Sequence, residues 1–181
     1  MTDLSKVVVL DTETTGLKPG EDQIVELAIA SGDGRPLLHE RYRPTRLSEW
    51  PEAQAVHGIS PEDLAGCRTI MDDKRRIEAI LSGAESFIGY NLLFDIRMLR
   101  GEGIYVPFLP IADAMLRFAP VYGERNKRGG WKWKKLVDAA AFFGYEWTGS
   151  AHGAMADTLA TLHVYKQLEA LKLAQAAALS A

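Results

Sequence analysis

Val7-Val8-Val9-Leu10 is a continuous apolar run, rich in β-branched residues, and suits a strand covered on both faces. It stops at Asp11. Ile24 to Ala30 predicts a second strand, and Gly32-Asp33-Gly34 a turn into a third over Leu37 to Tyr42. Three strands joined by short turns make an antiparallel meander. The period then changes to a helical one. Ser60-Pro61-Glu62-Asp63 reads as a capped helix start, and Ile70, Ile77, Ile80 and Leu81 share a helical face that Gly83 ends. Phe87-Ile88-Gly89-Tyr90 predicts a short buried strand leading straight into a helix that carries Ile96 and Leu99. Pro110-Ile111-Ala112-Asp113 predicts a further strand end, with Asp113 capping a helix from Ala114 to Phe118. A last helix from about Ala154 to Leu173 puts Asp157, Thr161, Val164, Leu168 and Leu171 on one face. Hairpins first, then strands alternating with helices, predict an α/β domain with a mixed sheet flanked by helices.

At 181 residues and 47% hydrophobic, the chain is expected to form one domain over residues 1–173, with an Ala-rich tail at 174–181 that frays. A chain of this length buries a sizeable core without a disulfide or a structural metal. Twenty-one Lys and Arg against 24 Asp and Glu leave a net charge of −3. The molecule as a whole therefore does not attract polyanions, and any such site has to be built locally, by a basic patch or by bound metal. The single cysteine, Cys67, excludes an internal disulfide and a Cys-based zinc cluster, and is expected to be a small buried apolar residue. Residues 1–6 hold no long apolar core, so neither a signal peptide nor a membrane span is expected. The expectation is a soluble cytoplasmic protein with no membrane partner.

Three segments carry candidate chemistry. In Asp11-Thr12-Glu13-Thr14-Thr15-Gly16, strand alternation puts Asp11 and Glu13 on one side, two carboxylates aimed at one place. Such a pair is either a solvated strand end or a seat for a hard divalent cation. In Asn91-Leu92-Leu93-Phe94-Asp95, Asn91 suits a helix cap, and the helix dipole alone explains Asp95. In His152-Gly153-Ala154-Met155-Ala156-Asp157, the last acid lies on the apolar stripe of its helix, where burial without a partner is costly. A metal shared with Asp11 would offset that cost. His152, at the loop-to-helix junction, is either a surface histidine or a base for water.

In this order the segments resemble the DEDDh-type 3′–5′ exonucleases, the family of the proofreading exonucleases and RNase T. The motifs stand here as Asp11-x-Glu13-Thr14-Thr15-Gly16, Asn91-x-x-Phe94-Asp95 and His152-x-x-x-x-Asp157, and His57-Gly58-Ile59-Ser60 matches a further stretch between the first two. The tyrosine branch of the superfamily has Tyr four residues before the last Asp. Gly153 stands there and His152 one residue earlier, which places the chain in the histidine branch. The resemblance implies an RNase H-like fold with a five-stranded mixed sheet. It implies that Asp11, Glu13, Asp95 and Asp157 hold two Mg²⁺ or Mn²⁺ ions and that His152 is the general base. It also places Thr14, Thr15 and Gly16 against the terminal nucleotide, with His57 and Asn91 lining the substrate path; His57 is equally well read as a structural residue at a helix end. The implied partner is nucleic acid with a free 3′ end, single-stranded, DNA favoured. A small exoribonuclease of the same family is the alternative. A non-catalytic nucleic-acid-binding module is a third reading, disfavoured because a pure binder gains nothing from clustered acids.

One segment is more individual. Between Arg125 and Lys135 lie six basic residues with Trp131 and Trp133 among them, the strongest basic cluster of the sequence. Aromatics among cations on a flexible loop suit single-stranded nucleic acid. Lys127 and Arg128 at the tip are expected to touch substrate, and Trp133 to pack into the core beside Leu136.

Overall fold

The computed structural model describes residues 4–147 and 153–180. Strands β1 (Val7–Thr14), β2 (Ile24–Ser31), β3 (Pro36–Arg41), β4 (Ser86–Gly89) and β5 (Ile111–Asp113) form one sheet in the order β3-β2-β1-β4-β5. The first three pair antiparallel as the predicted meander, whereas β4 and β5 add in parallel beside β1. The expected mixed five-stranded sheet is thus present.

Alternation along β1 divides the core. Val8 and Leu10 face the larger apolar cluster, formed with Ile77 and Leu81 of α3 (Lys74–Ser82) and with Leu92, Ile96 and Leu99 of α4 (Leu92–Gly101). Val7 and Val9 face the opposite way, onto Leu162 of the long helix α7 (Ala154–Leu179). Helices α5 (Ala114–Tyr122) and α6 (Leu136–Phe142) pack on α7 through Phe118, Ala139, Ala140 and Val164. Two short helices, α1 (Pro51–His57) and α2 (Pro61–Leu64), cover β2 through Trp50, Ile59 and Leu64. Among the described residues, no helix is long and apolar enough to cross a membrane.

Several local expectations change. The face Ile70–Leu81 is not one helix, because Asp72 accepts both the backbone N–H and the hydroxyl of Thr69 at 2.8 Å and closes a 3-10 turn over Ile70–Asp73 before α3 starts. Helix α1 is an addition to the expected elements; its sequence signals are Pro51 at the first position and Glu52 in the first turn. The helix expected to end near Leu173 continues as α7 to Leu179, since alanine is the best helix former and needs no tertiary partner to extend a helix already nucleated. Cys67 is half-buried against the Trp50 cluster, not fully enclosed.

Candidate active site

Past Leu10, the α7-facing side of β1 continues as Asp11 and Glu13. Asp157 sits in the first turn of α7, which crosses this side. The carboxylates of Asp11, Glu13 and Asp157 come together, with one oxygen from each within 4.8 Å of the others. The fourth acid approaches from the other side of the strand. Asp95, in the first turn of α4, is 3% exposed, and its Oδ1 accepts the Thr12 N–H at 3.1 Å and the Thr12 hydroxyl at 2.7 Å. The β1–β4 ladder ends at Val9 and Ile88, so beyond it the Thr12 N–H turns to a side chain as its acceptor. Gly89 permits this close descent of α4, because a Cβ there would lie 2.8–2.9 Å from Leu92.

Burial is the largest force on these groups, and like charge adds to it. Asp11 is pushed well above the ordinary carboxylate range by burial and then by Asp95, Asp157 and Glu13. Glu13 is pushed up to about 8 by burial, then Asp157, Glu26 and Asp95. Asp95 is pushed up to about 7 by burial, against the pull of its Thr12 hydrogen bonds. Acids crowded in this way, three of them resisting ionisation, make a poor surface for an anion and a good one for a hard cation. The donors are all carboxylate oxygens, the set that Mg²⁺, Mn²⁺ or Ca²⁺ prefers.

A fifth acid escaped the sequence reading. Glu26 of β2 lies directly across from Glu13 and is 3% exposed. Its carboxylate accepts the Ala154 N–H at 2.9 Å and sits 3.1 Å from His39 Nε2 and 3.2 Å from Arg41 Nε. Burial raises its pKa, but the Ala154 N–H, His39 and Arg41 outweigh burial and hold it below the ordinary range. Glu26 therefore fastens the start of α7, and with it Asp157, to the sheet. The signal was an acid inside the apolar run Ile24-Val25-Glu26-Leu27, which demands partners.

Beside the acids opens a cleft of about 610 Å³, lined by Glu13, Thr14, Thr15, Gly16, His57 and Phe94 among others. Its floor is a stiff turn. The Thr14 hydroxyl donates to the Gly16 carbonyl at 2.6 Å, and Thr15 exchanges hydrogen bonds with the Gln23 backbone at 2.8 and 2.9 Å. Gly16 leaves room for Asp22: a Cβ would fall 2.5–2.7 Å from the carboxylate, which accepts the Lys18 N–H at 2.8 Å. His57 has the structural role expected of it, at the end of α1. It lines the cleft, yet Nδ1 accepts the Ile59 N–H at 3.0 Å, so Nε2 carries the proton and donates to the Thr14 carbonyl at 3.2 Å. Burial lowers its pKa, so the ring is neutral and supports the end of β1.

Asn91 occupies the cap position of α4 without capping it. Its backbone is left-handed, with φ 66°, and its side chain makes no capping hydrogen bond. Asp113 does that work. It accepts the N–H groups of Asn91 at 3.2 Å and Leu92 at 3.0 Å, as well as those of Met115 and Leu116 at the start of α5. The Asn91 side chain is thereby left for a neighbouring cavity of about 450 Å³.

The basic segment is a closed hairpin, not the flexible loop expected. Arg125 and Trp131 bridge antiparallel, with the guanidinium 3.4 Å from the indole centroid, and Asn126 Oδ1 accepts the N–H groups of Arg128 and Gly130. Lys132 and Lys134 both pair with Glu124. Lys127 and Arg128 are exposed at the tip and line neither the cleft beside the acids nor the cavities on either side of Trp133. Trp133 is 62% exposed, against the expectation of core packing: α6 begins only at Leu136, so Trp133 precedes the helix and never shares its buried face. His152 lies outside the described residues.

Comparison with known proteins follows the same outline. An exonuclease family model of the RNase T type matches residues 8–165. The exonuclease CP81 of Escherichia phage 186 is 36% identical over 172 residues, spanning 89% of this chain and 87% of that protein. A DNA polymerase III subunit epsilon-like protein of Rhodobacter capsulatus is 33% identical across 89% of this chain, which spans only 23% of that relative's length. The fold is shared with exonuclease X in complex with 5′ overhanging duplex DNA, at a TM-score of 0.66 and 22% identity over 90% of each chain. It is also shared with E. coli exonuclease I in complex with an oligonucleotide, at a TM-score of 0.74 and 22% identity over 90% of this chain and 40% of that one. Because the family match runs from β1 well into α7 and so takes in all four acids at the site, the chain belongs to the DEDDh-type 3′–5′ exonuclease family and is a hydrolytic exonuclease.

Proposed function

We propose that the protein is a metal-dependent exonuclease that removes nucleoside 5′-monophosphates from single-stranded or frayed 3′ ends, DNA favoured. The observation that carries the reading is the convergence of Asp11, Glu13 and Asp157, with Asp95 buttressed by Thr12 beside them. Asp11, Glu13, Asp95 and Asp157 would hold two Mg²⁺ or Mn²⁺ ions, which supply neutralisation of the phosphodiester and a lowered pKa for the attacking water. The cleft at Thr14, Thr15, Gly16 and His57 takes the terminal nucleotide, whose sugar and base meet fixed backbone and the Phe94 ring. His152, by its place in the motif, accepts the proton of the attacking water. The water oxygen bonds to phosphorus and the bond from phosphorus to the 3′ oxygen breaks. The departing 3′ oxygen takes a proton from solvent, so the shortened strand ends in a 3′-hydroxyl, and the phosphate leaves on the released nucleotide.

The test is a matched panel of 5′-labelled DNA and RNA oligonucleotides, single-stranded and duplex, with Mg²⁺, Mn²⁺ or EDTA. Stepwise shortening of single-stranded DNA, abolished by EDTA, is the expected result. Faster trimming of RNA moves the reading to an exoribonuclease. Cleavage in excess EDTA overturns it.

A further inference from the structure

The cavity beside Asn91 continues away from the terminal cleft, sharing Leu17 and Phe94 with it. On its far side stands Trp133, which also walls a third cavity of about 410 Å³ that reaches Asp157. A path thus runs from the acid cluster past an exposed indole. Four large apolar side chains on the rim of the middle cavity are open to solvent: Leu17 at 80%, Trp133 at 62%, Leu116 at 46% and Leu93 at 44%. Single exposed apolar residues are ordinary, but a contiguous strip at the mouth of a site is not.

Trp133 is also held in place from both sides. The Lys132 N–H donates to the Glu124 carbonyl at 2.8 Å, and the Lys134 carbonyl accepts the Tyr90 hydroxyl at 2.7 Å. The Lys134 ammonium lies 4.1 Å from the Tyr122 ring centroid and pairs with Glu124. The backbone on either side of the indole is fixed while the ring itself faces water. Cations accompany it: Arg97 lines the same cavity, and Lys134 and Lys135 line the next. An aromatic face flanked by cations, continuous with a phosphodiester site, fits unpaired bases on a backbone of phosphates better than it fits an apolar protein surface.

We propose that Trp133, with the strip Leu17, Leu93 and Leu116, is an upstream stacking subsite for the base that precedes the terminal nucleotide of a single strand. It rests on the exonuclease reading above and adds the position at which strandedness is sensed. Stacking on Trp133 takes a base out of the stack of its own strand, which a paired end resists, so the subsite favours ends with at least the last two nucleotides unpaired.

The experiment compares wild type, Trp133→Ala and Trp133→Phe on two substrates: a labelled oligonucleotide, and the methyl ester of thymidine 5′-monophosphate, which has no ring on the upstream side of the phosphate. Oligonucleotide binding is read by anisotropy with Ca²⁺ present, and hydrolysis of the ester by chromatographic release of thymidine 5′-monophosphate. Trp133→Ala is expected to weaken oligonucleotide binding roughly tenfold, as loss of one stacked base does. Trp133→Phe keeps most of the affinity, and ester turnover is the same in all three. An abasic site one nucleotide from the 3′ end should cost wild type the same factor and cost Trp133→Ala nothing more. Phe108→Ala, which removes a ring 90% exposed elsewhere, is the control and binds as wild type. Unchanged binding by Trp133→Ala, or abasic and alanine losses that multiply, overturns the subsite. Concentration-dependent self-association that Trp133→Ala abolishes, with oligonucleotide binding intact, assigns the strip to a second copy of the chain instead. If wild type leaves both substrates uncut with Mg²⁺ or Mn²⁺, the exonuclease reading fails, while the anisotropy comparison still decides the subsite.

Discussion

Thr12 gives Asp95 two hydrogen bonds, one from its backbone at 3.1 Å and one from its hydroxyl at 2.7 Å, across 83 positions of sequence. The residue between Asp11 and Glu13 therefore points away from them to fix the acid that completes their set. Both bonds fall on Oδ1, so this carboxylate is oriented before any cation arrives. Thr12→Val keeps the shape and removes the hydroxyl bond. Metal affinity or activity should fall about 10–100-fold, as when other partners that orient metal ligands are lost. A metal titration followed by calorimetry checks this, and wild-type affinity in the valine variant would show that Asp95 needs no such support.

Asp11→Asn and Asp157→Asn each remove one carboxylate from the converging trio. Both variants should lose turnover while staying folded. In the metal-free state the melting temperature should hold or rise, because a repelling charge has gone. Circular dichroism melts beside the oligonucleotide assay test the two halves together; either variant turning over at the wild-type rate refutes the metal assignment.

The raised acids give the metal-free protein an unusual dependence on pH. Glu13 ionises near 8 and Asp95 near 7 in the folded state, against about 4 in an unfolded chain. The folded state then holds protons that the unfolded chain has released. Their contribution is fully present below about pH 4 and is lost as pH rises to about 8. Glu26, held low, works in the opposite sense and only in the acid range. Melts in EDTA should therefore fall in temperature from about pH 5 to 8, and saturating Mn²⁺ should offset the fall because metal displaces those protons. A flat profile in EDTA would contradict the shifts.

Lys127 and Arg128 extend from the hairpin tip with no ion pair among the described residues. Reversing both to Glu should weaken single-strand binding and flatten its salt dependence, by roughly 0.7 in log–log slope for each phosphate no longer neutralised. The rate at saturating substrate should barely change. An unaltered slope would make the tip a solvated turn only.

His152→Ala should leave metal and oligonucleotide bound while cleavage drops by about 10²–10⁴, the usual cost of losing a general base. The acidic limb of the pH–rate profile should disappear with it. A variant that cleaves as wild type would remove His152 from the mechanism.

How much of this is legible in the sequence depends on whether a residue's role is local. Asp11 and Glu13 share a side by strand alternation alone, and the β-branched run before them marks β1 as central. Asp113 is readable as a cap for α5, but its second duty toward Asn91 and Leu92 depends on β5 lying beside β4, which spacing does not reveal. Trp133 misleads for the same reason. Apolar residues three apart look like one helical face, and only the bracing of Lys132 and Lys134 by Glu124 shows that a hairpin ends between them. Glu26 stands out as a buried acid, but its partner Ala154 is 128 positions away.

That last bond has a consequence for the life of the molecule. The acids enter the site from β1, α4 and α7, and the tie that seats α7 on the sheet joins Glu26 to Ala154. A chain emerging from the ribosome displays Asp11, Glu13 and Asp95 long before Asp157 exists. Until α7 is made and docked, the nascent polypeptide has an incomplete acid cluster and no helix to hold it. An exonuclease assembled in this way is expected to stay silent while the stretch from β1 to α6 is being synthesised, and to become competent only when β1 and α7 meet.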